Sequence, residues 1–178
     1  MEKNKNLTPL SPDEWVEWTK LTRRIKFIDG KIPQEAFYAF CENFVSAVID
    51  LVPYRIDNNE IEILLIYRKD RHYDGFHIPG SVIVPGKTST DTLNSVIDVE
   101  LGKNANVGKI NFVGVIDAMK GEGSGLDKRG QDLKLLYVCE IKGEVLEGEW
   151  FTKNNLPKNI IPEQQKISIE IFYAINNL

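Results

Sequence analysis

The chain reads as a mixed α/β domain, a sheet of parallel and antiparallel strands with helices on both sides, preceded by a helical extension. Three observations predict it. Apolar periodicity switches between helical and strand spacing in the order helix, helix, strands, helix, strands, helix. Turn-forming residues fall where the period changes. The 178 residues, 42% apolar and 27% charged, have the composition and length to bury one core without a disulfide framework or a structural metal.

Residues 1–10 are polar and read as loose. Ser11-Pro12-Asp13-Glu14 is a capping box with proline at the first helical position. Trp15, Trp18, Leu21, Thr22 and Ile25 then repeat at helical spacing, so a helix is expected to about Lys26, with a stop at Asp29-Gly30. Its tryptophan stripe reads as a face covering a core or a partner. A second helix is expected from Pro33 to about Asn43. Val45–Val52 and Ile61–Tyr67 read as strands joined by a turn at Asp57-Asn58-Asn59. Short strands follow at His77-Ile78 and Ser81–Val84, then a helix over Thr88–Leu101 closed by Gly102. Asn111–Ile116 and Leu133–Ile141 are further strands. Pro162 to about Ile175 is a last helix with Ile167, Ile171, Phe172 and Ile175 on one face.

A net charge of −4 opposes a general electrostatic grip on nucleic acid, so none is expected, although a few local cations can still hold a small anion. Cys41 and Cys139 lack metal-ligand spacing and read as buried thiols. The first residues lead into no apolar leader segment and no run is long enough to cross a membrane, so a cytoplasmic protein without a membrane partner is expected.

Phe76-His-Ile-Pro-Gly-Ser-Val-Ile-Val-Pro-Gly-Lys-Thr-Ser89 resembles the entry to the Nudix box, typically aromatic-x-Leu-Pro-Gly-Gly-x-x-x-x-Gly-Glu-Ser. Ile63–Arg68 is similar to the strand ahead of that box, and Gly148–Pro157 to the late Trp-Phe…Leu-Pro element. Leu126-Asp-Lys-Arg-Gly130 is similar to a segment of the family members that handle ADP-ribose. The resemblance implies a Nudix-type α/β/α sandwich over residues 44–178, with 1–43 as an N-terminal extension. It also brings a homodimer into consideration.

The box itself is degenerate. Laid on the family pattern, the first glycine falls on Ser81 and the first glutamate on Lys87. The Arg-Glu pair falls on Ser95-Val96 and the Glu-Glu pair on Val99-Glu100, leaving Glu100 and Gly102. In a regular helix positions 96, 99 and 100 share a face, which in the family carries carboxylates that hold Mg²⁺ or Mn²⁺ against a diphosphate. Valine offers no oxygen, so no metal site or cofactor is expected there, and restoring glutamates would place charge on an apolar face. Asp91, Ser95 and Asp98 read as a solvated side of the same helix.

The resemblance makes Glu100 and, in the Lys120–Gly130 loop, Glu122 the candidate catalytic carboxylates. Arg68, His77, Lys87 and Arg129 are the candidate ligand-binding residues, the arginines for their planar forks of donors. Lys120–Gly130 mixes glycines with cations but precedes a strand, whereas a phosphate cradle opens a helix. Three functions stay open. The first is a Nudix domain that binds a nucleotide or nucleotide-sugar diphosphate such as ADP-ribose without efficient hydrolysis. The second is a hydrolase of nucleoside diphosphates linked to another moiety, its Mg²⁺ or Mn²⁺ held outside the box by Asp117, Glu122 or Asp127. The third is a structural domain working through its Trp15/Trp18 helix.

Overall fold

The computed structural model describes residues 9–24, 33–69, 73–119 and 130–178. The chain divides into two compact units, Met1–Ile32 and Pro33–Leu178. In the first, helix α1 (Pro12–Thr22) opens on the expected capping box: Ser11 Oγ accepts from the Glu14 N–H, and Glu14 accepts from the Ser11 N–H at 2.7 Å. It ends one turn earlier than its periodicity predicts. The Thr19 and Thr22 hydroxyls bond back to the carbonyls of Trp15 and Trp18, which competes with regular helix propagation. Trp15 and Trp18 pack edge to face on α1, with ring centroids 5.8 Å apart.

In the second unit α2 (Gln34–Asn43) leads into β1 (Ser46–Asp57) and β2 (Glu60–Lys69). The hairpin turns on Asn58 and Asn59, both at positive φ, as a two-residue turn matched to strand twist requires; asparagine tolerates that conformation. Then come β3 (Asp74–His77), β4 (Gly80–Val82), α3 (Ser89–Val96), β5 (Val107–Ala118), β6 (Asp132–Ile141), β7 (Glu149–Thr152) and α4 (Pro162–Ile175). The sheet runs β3-β2-β1-β6-β5, with β4 also on β1 and β7 also on β2. β1 and β6 are parallel and the other pairs antiparallel, giving the mixed sheet expected.

Each face of the sheet is apolar and covered. Val52, Ile63, Leu65, Leu136 and Val138 pack against Ile167, Ile171, Phe172 and Ile175 of α4. Ile49, Leu51, Leu64, Cys139 and Ile141 pack against Leu93, Val96 and Leu101. Full burial of each such side chain contributes about 1.5–3 kcal/mol. Both cysteines are buried thiols outside any disulfide, and burial pushes that of Cys139 up to about 12. Among the described residues no helix is long and apolar enough to cross a membrane.

Two features of this frame create a recess. β1 pairs with β2 only over 54–57; nearer its start it takes up β4 at 48–50, while the far half of β2 takes up β3. The sheet therefore splays between Asp50 and Arg68. The second feature is the helix after β4. Thr88 caps α3 in a reciprocal box with Asp91, which accounts for Asp91 on the solvated side. From Ile97 to Gly102 the helix widens into a π turn, closed by Gly102 at φ +96°. The wider turn breaks the shared face expected for 96, 99 and 100: Val96 is 2% exposed and Val99 68%. The expectation of an apolar face holding both valines is thus corrected.

The two valines therefore separate by experiment. Val96→Glu buries an unpaired carboxylate and is expected to cost at least about 3 kcal/mol, whereas Val99→Glu is expected to stay within about 0.5 kcal/mol of the parent. Urea unfolding of both variants measures the contrast.

Candidate functional site

The splay and the π turn face one another across a half-open recess of about 100 Å³. On its floor Lys134, from β6, reaches Asp50, from β1, with Nζ 3.2 Å from Oδ2. Their side chains are 2% and 3% exposed. In the parallel ladder Val48 lies opposite Lys134 and Asp50 opposite Leu136, so the two charged residues are diagonal neighbours on one face. The contact is an ion pair by distance, and its angle lies outside hydrogen-bond geometry.

Gly80, paired with Asp50 across β1 and β4, makes room for this arrangement. A Cβ there would sit 2.6 Å from Asp50 Oδ1 and from the Ile49 carbonyl. The same glycine donates its N–H to the Glu100 carboxylate, so two carboxylates converge on it. Glu100 Oε2 is buried without a hydrogen-bond partner. Burial pushes the Glu100 carboxyl up to about 7; the Gly80 bond and Arg68 oppose the shift, while Asp50 and Glu147 add to it.

Arg68 lies opposite Gly75 near the end of β2, its guanidinium 4.5 Å from the centre of the Tyr73 ring at the recess wall. His77, at the end of β3, lines the recess with Nδ1 2.9 Å from the Ile78 carbonyl. A carbonyl only accepts, so Nδ1 carries the proton and Nε2 is the acceptor in the neutral ring. Burial holds His77 below its usual range, against that carbonyl bond. Gln164 of α4 fixes the neighbouring loop by accepting from the Ile78 N–H at 2.7 Å.

The structure thus brings Arg68, His77 and Glu100 together. Lys87 is exposed in the turn before α3 and does not line the recess. Glu122, Asp127 and Arg129 lie outside the described residues, and Asp117 is exposed near the end of β5 with Gln131 Nε2 3.5 Å away. Asp50 and Lys134 are the residues that the sequence reading missed. The available signal was phase: Lys134 alternates with Leu136 and Val138, and Asp50 with Val48 and Val52, on the inward side of their strands.

Hard divalent cations need several oxygen ligands. From the box helix the recess receives one carboxylate, Glu100, and the Asp50 carboxylate already faces an ammonium. Among the described residues no three His, Cys, Asp or Glu side chains form a metal-holding group. These donors do not fit Mg²⁺ or Mn²⁺.

Glu100 binds its proton more tightly in the folded chain than its ordinary value near 4.5, so its contribution to stability is greatest at low pH and falls as pH rises toward and past 7. His77 acts oppositely: held below 6.5, it costs stability as pH falls beneath that value. Between pH 5 and 8 the parent is expected to lose about 2 kcal/mol relative to Glu100→Gln. Unfolding curves of both proteins across that range measure the difference; parallel curves would show that Glu100 is not desolvated.

No family model and no curated protein sequence matches the chain. Solved structures do. A candidate asymmetric diadenosine tetraphosphate hydrolase from Jonesia denitrificans superposes with a TM-score of 0.59 at 16% identity, over 75% of this chain and 96% of that one. The NUDIX domain of Shewanella oneidensis NrtR, solved with ADP ribose, gives 0.55 at 14% identity over 85% and 97%. A MutT/nudix family protein from Enterococcus faecalis gives 0.56 at 14% identity over 94% and 70%. With the mixed sheet held between α3 and α4 and the recess beside the helix that follows β4, these likenesses show that the chain has the Nudix fold.

Proposed function

We propose that the recess is the anion-binding end of a nucleotide site, taking a diphosphate-containing ligand of the ADP-ribose class without metal-assisted hydrolysis. The observation that carries this reading is the charge in the recess. A buried ammonium, Lys134, and a guanidinium at the wall, Arg68, line the recess beside Glu100, the one carboxylate that the box helix brings to it. The ADP ribose in the solved NrtR domain supports the ligand class. At about 100 Å³ the recess accepts a phosphoryl-sized group, whereas pockets that enclose whole ligands measure roughly 300–1,000 Å³, so the nucleoside is expected to extend beyond it.

The residues divide the work by chemistry. Arg68 offers a planar fork to phosphate oxygens. Gly80 and Glu100 form a pair in which a protonated carboxyl can donate to an oxyanion while an ionised one repels it. His77 presents Nε2 as an acceptor to a ribose hydroxyl. Lys87, outside the recess, and Arg129 remain candidates for ligand contacts. Without a metal there is no Lewis acid and no metal-bound nucleophile, so affinity outlasts turnover.

ADP-ribose is expected to raise the melting temperature in the presence of EDTA, by mass action on the folded chain. Arg68→Ala is expected to weaken binding roughly tenfold to a hundredfold, the worth of one charge-assisted contact, and Lys87→Ala by less. With Mg²⁺ added, product should form at least about a thousandfold below ordinary enzymatic rates. Calorimetric titration and product chromatography decide it: turnover at ordinary rates, or no stabilisation by any nucleotide diphosphate, sinks the proposal.

A further inference from the structure

We infer that Lys134 is a built-in counter-cation, taking on Asp50 the place that a divalent cation would take, and that removing its charge turns the recess into a divalent-cation site. The inference rests on the proposed metal-free reading of the recess and deepens it by naming the group that makes the metal unnecessary.

Three observations lead there. The Lys134 side chain is nearly sealed from solvent and approaches a carboxylate that is equally sealed, so neither charge is an incidental surface group. An isolated ammonium in such a place would be intolerable, and Asp50 is the partner that permits it. Next, the Asp50 and Glu100 carboxylates converge on Gly80 from β1 and from the π turn, and Glu100 Oε2 has no partner. Oxygen donors are therefore present on two elements, and the ammonium on Asp50 keeps their joint charge from collecting a cation. Finally, Lys134 is carried by the strand between β1 and β5, its backbone held on both sides. A cation so anchored neither exchanges with solvent nor carries water, which suits holding an anion and does not suit making a nucleophile.

The consequence is specific. Lys134→Gln keeps a polar side chain of similar reach and deletes the charge, leaving Asp50 and Glu100 as uncompensated oxygen donors. Hard cations are drawn to that set, with water completing the shell. The parent should show no saturable Mn²⁺ binding below millimolar. Lys134→Gln should bind Mn²⁺ at least tenfold more tightly than the parent and melt higher when Mn²⁺ is added. The gain should vanish in Lys134→Gln/Glu100→Gln, which a merely structural role for Lys134 would not require.

The experiment titrates parent and variants with Mn²⁺ alone, by calorimetry and by the electron spin resonance of the free ion. A folded Lys134→Gln that gains no Mn²⁺ overturns the inference, as does a parent that already binds Mn²⁺ at sub-millimolar concentration. Deleting one member of a buried pair strands the other and is strongly destabilising, so a second variant tests the inference independently of the folding of Lys134→Gln. The second variant, Asp50→Asn/Lys134→Met, removes both charges and is expected to stay folded. It should lose at least tenfold of the affinity for inorganic pyrophosphate that the parent shows in EDTA; unchanged affinity overturns the inference. The Mn²⁺ arm contains no nucleotide. Failure there with ADP-ribose still binding the parent condemns only the role of Lys134, and absence of any nucleotide binding condemns the functional reading.

Discussion

The ion pair between Lys134 and Asp50 is the constraint around which this structure is arranged. It spans the parallel junction of the sheet, diagonally across β1 and β6, on the face that packs against α4. Strand side chains alternate, so a slip of one residue in either strand would send one charge into the apolar layer under α3 and leave the other alone. Removing one partner of a buried pair typically costs about 3–5 kcal/mol, more than most single apolar contacts. The pair therefore specifies register strongly even where its net contribution to stability is small. It also shapes its surroundings: the Asp50 carboxylate leaves no room for a side chain on the residue opposite, which is why that residue is Gly80.

From Gly80 the arrangement extends outward. A glycine there lets β4 lie close to β1 and frees its N–H for Glu100, so the acid of the π turn is held by the same residue that accommodates the ion pair. α4 closes the other side through Gln164, which bonds to Ile78 directly after the recess histidine. Helix, strand and loop thus converge on a few polar atoms between two apolar layers. In low dielectric each unpaired polar atom is costly, which makes the orphaned Glu100 Oε2 a local strain on the site, relieved when the carboxyl keeps its proton.

The fold was legible in the sequence because each element carries a local signal: capping boxes at Ser11 and Thr88, an Asn-Asn turn, alternation in the long strands, an apolar stripe in α4. The candidate site was legible in part. Arg68, His77 and Glu100, which line the recess, were candidates through motif resemblance, which marks positions in and next to the box. Lys134 and Asp50 were missed because each sits in an otherwise apolar run, where a single charge reads as an irregularity and its partner lies 84 residues away. The π turn was missed for a different reason. Regular 3.6-residue spacing is assumed when faces are assigned, and nothing in Ile97–Gly102 announces a wider turn. That one irregularity separates Val96 from Val99 and turns Glu100 toward the recess.

The contrast between a fixed ammonium and a bound dication explains why this recess differs in kind from a damaged metal site. A dication in a carboxylate cage keeps open positions that can polarise a phosphoryl oxygen and lower the pKa of a water. An ammonium facing a carboxylate has a single charge, fixed in place by its partner, and no coordination sites to exchange. On the proposed reading, Lys87, Val96 and Val99 along the box and the buried Lys134 are two sides of one electrostatic condition. A recess whose Asp50 carboxylate already has a counter-ion gains little from further acids on the helix, and one of the positions they would occupy, Val96, is packed into the core instead.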